Sequence, residues 1–222
     1  MNTCFLNMLL DGGNNAQGNC FRYDPAANSW TALASMPVRW AHASAAFDGK
    51  IYVFGGYGIN SSAHVTSTYV YDIAANSWSA GSTMPTWRAS MQAREVGGKI
   101  YVMGGNLQGP LSAITEAYDP AANAWASLAP MPTARSNYAA VVDNGRIYVM
   151  GGEMGGSTNT CVQYDAQANS WLPTNPMNQP RQNFALGLIN GKAYAGQGFG
   201  TAQLANTEEY TMPKTVYLVE KI

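Results

Sequence analysis

Charge is scarce in this chain of 222 residues: Asp, Glu, Lys and Arg together make up only 11% of it. So little Lys and Glu excludes a fold built on long, solvent-facing helices. The formal net charge is −1, which gives no general attraction to nucleic acid or to an anionic membrane, since both require clustered positive charge. Two histidines, His42 and His64, and three cysteines, Cys4, Cys20 and Cys161, are all there is of strong metal-binding chemistry. They form no metal-ligand spacing, so neither a metal nor a cofactor is expected. No apolar run approaches the roughly 18 residues that span a bilayer. The opening MNTCFLNMLL also lacks the basic leader and small-residue cleavage site of a secretory signal. The reading is of a soluble chain whose compartment stays open.

Gly and aromatic residues are abundant: the chain has 23 Gly, 6 Trp and 13 Tyr, a balance that favours short strands joined by tight turns. Their order is periodic. YDPAANSW at 23–30 returns as YDIAANSW at 71–78, YDPAANAW at 118–125 and YDAQANSW at 164–171. Gly-Gly pairs at 12–13, 55–56, 104–105 and 151–152 close apolar runs such as IYVF and IYVM. Between each Trp and the next Gly-Gly stands MPVR, MPTWR or MPTAR, loosened to MNQPR in the last unit. A period in the forties signals a repeat architecture.

Each unit reads as four antiparallel strands. The first follows the Arg and the second is the IYV run, separated by Asp48-Gly49, Gly97-Gly98, Asn144-Gly145 or Asn190-Gly191, pairs that accept the positive φ of a two-residue hairpin. The third ends on Tyr-Asp, and the fourth carries the Trp after a turn rich in Asp, Pro and Asn. Four strands per period make one propeller blade. The large Tyr and Trp rings are expected to fill the seams between blades. Cys20 and Cys161 fall at equivalent positions of two repeats, too far apart for a disulfide.

Counting units gives a single domain over 1–222. An incomplete blade, about 1–34, lacks its innermost strand; complete blades follow at about 35–82, 83–129, 130–175 and 176–222, with Tyr217 standing for Trp in the last. The open inner edge of the first blade predicts weak self-association. Two alternatives stand beside this count: a fragment of a larger propeller, or a chain whose open inner edge is completed by a partner.

The Gly-Gly, Tyr and Trp at set distances resemble the kelch repeat over nearly the whole chain, which implies an all-β, kelch-type β-propeller of about five blades. In an up-and-down blade the inter-blade linkers and the loops after Gly-Gly emerge on one face. Arg39, Arg88, Arg135 and Arg181 are expected to form a partial ring there, with Trp40, Trp87, Tyr57, Tyr138, Phe184 and Phe199 beside them. Guanidinium and aromatic groups together suit an acidic peptide, a protein loop or an anionic carbohydrate. The resemblance points the same way, because kelch domains often hold acidic peptides with arginines at this position. The alternative role for each Arg is structural, bonding loop carbonyls or acids. Some members of the family act on sugars, which keeps a sialic-acid mutarotase- or epimerase-like enzyme as a second reading, with Glu153 or Glu95 as its catalytic candidate. A structural repeat module of a larger protein is the third.

Overall fold

The computed structural model describes residues 18–58 and 65–213. Blade 1 contributes β1 (Cys20–Asp24) and β2 (Ser29–Leu33). Blade 2 begins with β3 (Arg39–Trp40), followed by β4 (Ala43–Phe47), β5 (Lys50–Phe54), β6 (Tyr57–Gly58), β7 (Thr68–Asp72) and β8 (Ser77–Gly81). Blade 3 comprises β9 (Gln92–Val96), β10 (Lys99–Met103), β11 (Thr115–Asp119) and β12 (Ala124–Leu128). Blade 4 comprises β13 (Ala139–Asp143), β14 (Arg146–Met150), β15 (Cys161–Asp165) and β16 (Ser170–Thr174). Blade 5 shows β17 (Ala185–Ile189), β18 (Lys192–Gly196) and β19 (Thr207–Thr211). The strands expected at MLLDGG and TVYLVEKI lie outside the described residues, as do Cys4, His64 and Tyr217.

Blades 2, 3 and 4 are four-stranded antiparallel meanders, β4-β5-β7-β8, β9-β10-β11-β12 and β13-β14-β15-β16, while β3 and β6 form a separate short ribbon. The hairpins behave as their sequences dictate. Asp48 and Gly49 take φ of 46° and 68°, Asn144 and Gly145 48° and 73°, and Asn190 and Gly191 51° and 71°, so both turn residues are left-handed, as a twisted ribbon requires. The inner strands β4, β9, β13 and β17 adjoin in series around a cavity of about 460 Å³. Arg94 bridges one of these inner seams: its Nε and Nη2 donate to the Ala140 carbonyl at 2.8 and 2.6 Å.

The repeated octet accounts for the seams. In each unit the Tyr lies directly opposite the Trp, as Tyr71 to Trp78, Tyr118 to Trp125 and Tyr164 to Trp171. The Tyr hydroxyl donates to the Asn five residues on: Tyr71 to Asn76, Tyr118 to Asn123 and Tyr164 to Asn169, at 2.6–2.7 Å. Each Asn sits at φ of 48°, a conformation Asn tolerates better than most residues. The Asp after each Tyr accepts two amides of the turn, such as Ala74 and Ala75 on Asp72.

With the turn fixed, the Asn and Trp reach the linker behind them. Ala34 donates its N–H to Asn76 Oδ1 and accepts Trp78 Nε1 on its carbonyl, at 2.9 and 2.8 Å. Ser82 does the same with Asn123 and Trp125, and Ala129 with Asn169 and Trp171. Two residues further, Met36, Met84 and Met131 enter the apolar seam and are buried. Among the described residues four such clusters occur, one between each successive pair of blades from the first to the fifth.

The expectation that Trp fills the seams is therefore refined. The Tyr is the buried core residue, with Tyr71, Tyr118 and Tyr164 no more than 2% exposed, and the half-buried Trp lies over it as a lid that bonds the linker. Trp30 is 49% exposed. In blade 5, where the octet is lost, the Tyr210 hydroxyl donates straight to the Asn175 carbonyl at 2.8 Å. Cys20 and Cys161 are both buried and lie in different blades, not bonded to each other, and burial pushes the Cys161 thiol up to about 11.

Asn123→Ala is expected to lower stability by about 2–3 kcal/mol, losing bonds to Tyr118 and to the Ser82 amide. Asn28→Ala, which loses only the Tyr23 bond, is expected to cost about 1 kcal/mol less. Urea unfolding of the two variants measures the difference; equal losses would mean that Asn123 does not hold the linker.

Candidate functional site

The linker face is organised by the four arginines and the Gly-Gly pairs. Each guanidinium turns into its own blade and reaches the carbonyl sixteen residues on: Arg39 to Gly55, Arg88 to Gly104, Arg135 to Gly151 and Arg181 to Gln197, at 2.8–3.0 Å. The same Nη1 bonds a second carbonyl, such as Ser67 for Arg39 and Ile114 for Arg88. The second glycine of each pair then accepts the next blade: Gly56 N–H donates to the Arg88 carbonyl, Gly105 to that of Arg135 and Gly152 to that of Arg181. A side chain at the first glycine would collide with that crossing linker, since a Cβ on Gly55 would lie 2.7 Å from the Arg88 oxygen.

The expected open ring of arginines at the mouth is therefore corrected in its placement. All four are buried, at 4% exposed or less, because their donors meet backbone carbonyls beneath the surface. Their remaining partners differ. Arg88 pairs with Glu116 at 2.6 Å and Arg181 with Glu208 at 3.3 Å, whereas Arg39 lies over the Tyr69 ring at 4.4 Å and Arg135 bonds Thr160 Oγ1 at 3.2 Å. Burial draws the Arg39, Arg88 and Arg135 pKa values down from the usual arginine range. The fixed sixteen-residue spacing, with Glu two positions before Tyr in blades 3 and 5, is the sequence signal for this role.

Tyr138 is also internal. Its hydroxyl donates to the Met103 carbonyl at 2.6 Å and accepts the Gln92 amide, joining blade 4 to blade 3, and burial pushes its pKa up to about 12. Phe184 packs in the seam between blades 4 and 5. Four of the predicted aromatics do reach the surface: Trp40 is 46% exposed, Trp87 39% and Phe199 49%, and Tyr57 stacks on Trp40 with centroids 4.1 Å apart.

Their positions follow a rule that sequence reading missed. In every described blade from the second onward, the residue after the Arg bridges to the residue after the Gly-Gly position. The pairs are Trp40–Tyr57, Ala89–Asn106, Ser136–Glu153 and Gln182–Phe199. Just inside them runs a belt of backbone bonds: Ser90 N–H to the Ala41 carbonyl, Asn137 to Ser90 and Asn183 to Asn137, at 2.8–3.1 Å. Ala41, Ser90, Asn137 and Asn183 all hold φ of 50–54°. The rim thus rests on regular backbone while its side chains vary.

The two candidate acids are separated. Glu153 stands on the rim and accepts from Asn137 Nδ2 at 3.1 Å and Ser136 Oγ at 3.4 Å. Glu95 lines the central cavity and accepts the Gly98 amide of its own hairpin at 2.8 Å. His42 has its Nδ1 buried without a partner among the described residues. Burial, and then the Arg39 charge, holds its pKa down at about 3, so the ring is neutral at pH 7. Among the described residues no three His, Cys, Asp or Glu gather as a metal site, and no helix is long and apolar enough to cross a membrane.

Successive four-stranded sheets, Gly-Gly crossings and Tyr–Trp seams define a kelch-type β-propeller. The KLHDC2/KLHL20/DRC7 Kelch-repeats domain model matches residues 6–201, and the chain belongs to that family. It is 31% identical over 98 residues to the F-box/kelch-repeat protein At1g67480 of Arabidopsis thaliana, covering 44% of this chain and 26% of that protein. It is 43% identical over 53 residues to human Kelch-like protein 26, covering 22% of this chain and 9% of the relative. The chain thus spans about a quarter or less of the length of these curated relatives. The solved structure of YjhT superposes with a TM-score of 0.75 at 24% identity, over 83% of this chain and 68% of that one, a likeness of fold. Within this propeller the rim side chains differ from blade to blade on a regular backbone.

Because unfolded His42 titrates near 6.5 and folded His42 near 3, the unfolded chain binds the extra proton between those values. Stability from this residue is present above pH 6.5 and falls as pH drops toward 3, by up to about 1.4 kcal/mol per pH unit. His42→Phe, the residue type of the equivalent Phe184, is expected to flatten that loss in urea melts taken from pH 6.5 to 4.5. An unchanged pH slope would remove His42 as its source.

Proposed function

We propose that the linker face is a recognition surface for a protein partner, a loop or peptide that seats apolar anchors on the rim and carries acidic residues beside them. The observation that carries this reading is the exposure of Trp40, Trp87 and Phe199, with Tyr57 stacked on Trp40, while the repeat aromatics of the inner blades are taken up by seams. Partly exposed, rigid aromatic side chains supply much of the energy of protein interfaces.

The acidic preference rests on charge beneath the rim. Arg39, Arg88, Arg135 and Arg181 are set against Glu116, Glu208 and Glu153, and neither Arg39 nor Arg135 has a carboxylate partner among the described residues. One excess cation under a low-dielectric surface attracts an acidic partner through its field, without guanidinium contact. An anionic carbohydrate has the same charge logic and is separated from a peptide by the test. An enzyme would need its acid and base within reach of one substrate; Glu153 on the rim and Glu95 in the cavity, each held by its own neighbours, offer no such pair.

A random-peptide display library panned on the immobilised protein tests the reading. Selected peptides are expected to combine an aromatic or aliphatic anchor with Asp or Glu. Their affinity is expected to fall roughly 30-fold or more with Trp40→Ala or Trp87→Ala and to weaken as salt is raised. Circular dichroism should be unchanged. Binders indifferent to both substitutions, or a surface that selects only anionic glycans from a parallel array, would overturn it.

A further inference from the structure

Two positions of the inner strands carry charge in blade 3 and in no other described blade. Ala45, Arg94, Val141 and Gly187 share one register, each opposite the Tyr of its second strand, at Tyr52, Tyr101, Tyr148 and Tyr194. The next position reads Ala46, Glu95, Val142 and Leu188. Blades 2, 4 and 5 build this part of the propeller from uncharged residues, so the fold itself does not call for Arg-Glu here. Both charged residues line the central cavity of about 460 Å³, together with Ser44, and every other lining side chain is Ala, Val or Leu. Apolar walls with a few polar groups, at that volume, suit a small molecule.

Arg94 is held in place but not neutralised. Its Nε and Nη2 donate to the Ala140 carbonyl and its Nη1 to the Ala93 carbonyl, at 2.6–2.8 Å. A guanidinium has five N–H groups, so one remains on each Nη. Among the described residues no carboxylate lies within ion-pair reach of Arg94, whereas Arg88, Arg146 and Arg181 each have one. Glu95 projects to the other side of the strand and accepts the Gly98 amide of its own hairpin at 2.8 Å. Burial lowers the Arg94 pKa, with only the Tyr138 phenol acting the other way, and an enclosed cation is costly without a counter-charge.

We propose that the central cavity binds a small aliphatic monocarboxylate, its two oxygens on the remaining Nη1 and Nη2 hydrogens of Arg94 and its hydrocarbon part against the Ala, Val and Leu walls. The carboxylate supplies the missing counter-charge, and bidentate pairing is the strong form of that contact. The walls favour a branched carbon chain, while Glu95, next along the strand, disfavours a second negative group. The pocket lies among the inner strands and contains none of the rim residues.

Calorimetric titration of the whole chain with 3-methylbutanoate tests the proposal, with 3-methylbutanamide and succinate as comparisons. The monocarboxylate is expected to bind at one site with a Kd of about 1 mM or tighter. The amide, or Arg94→Met, is expected to weaken binding roughly tenfold or more. The amide leaves the protein untouched, so a folding defect in the variant cannot imitate its result. Ala46→Phe, at an exposed wall position, is expected to fill the cavity and abolish binding with Arg94 intact. Absence of binding at about 10 mM 3-methylbutanoate, ten times the expected Kd, would overturn the proposal and leave Arg94 as a staple between blades 3 and 4. So would an amide or succinate bound as tightly as the monocarboxylate, or binding that survives Arg94→Met or Ala46→Phe.

Discussion

Between blades, one polar contact does what apolar packing cannot: an Asn amide oxygen and a Trp indole N–H hold both backbone groups of a single linker residue. Met and Tyr bury the seam, and burial is non-directional, so packing alone would let one sheet slide against the next. The two bonds each accept one atom. Once Ala34, Ser82 or Ala129 is fixed, the following Met enters at a set depth and the Arg that follows is delivered to its own blade. From there the guanidinium finds the Gly-Gly carbonyl, and the Arg backbone oxygen meets the glycine of the blade behind. The linker face is therefore a downstream product of the seam.

The four buried guanidiniums act as struts. Each ties the inner edge of a blade to the loop beyond its second strand through the carbonyl sixteen residues on, and in blades 2, 3 and 4 it adds a bond to a second carbonyl that already accepts a backbone amide. A cation in that position is costly to desolvate. Glu116 and Glu208 offset the charge in blades 3 and 5, and the Tyr69 ring lies against it in blade 2. The variation among partners shows that the carbonyl bonds are the constant requirement and that the counter-charge is local adaptation.

Most of the fold is legible in the letters of the octet, since each of Tyr, Asp, Asn and Trp makes a bond that no common substitute would make with the same geometry. Paired turn residues with positive φ mark the hairpins equally well. The site is less legible. Sequence gives the angular position of Arg39, Arg88, Arg135 and Arg181 around the axis but not their depth, and a guanidinium at the mouth differs from one a few ångströms below only by which carbonyls are in reach. The exposure of Trp40 and the burial of Tyr138 likewise depend on whether a neighbouring strand lies over the side chain. Rim partners such as Asn106 and Gln182 escape notice because their place is set by a backbone bridge, which is indifferent to side-chain type. That indifference is also what leaves the rim free to change.

The belt through Ala41, Ser90, Asn137 and Asn183 works, among the described residues, as an arc that joins blades 2 to 5. Its links are backbone-to-backbone hydrogen bonds of 2.8–3.1 Å, so the spacing of the inner strands at the channel entrance is set by main-chain contacts and not by which side chains happen to crowd it. Exchange of a neighbouring aromatic would alter grip without altering aperture. The arc also has a direction, every link donating backwards to the blade before it.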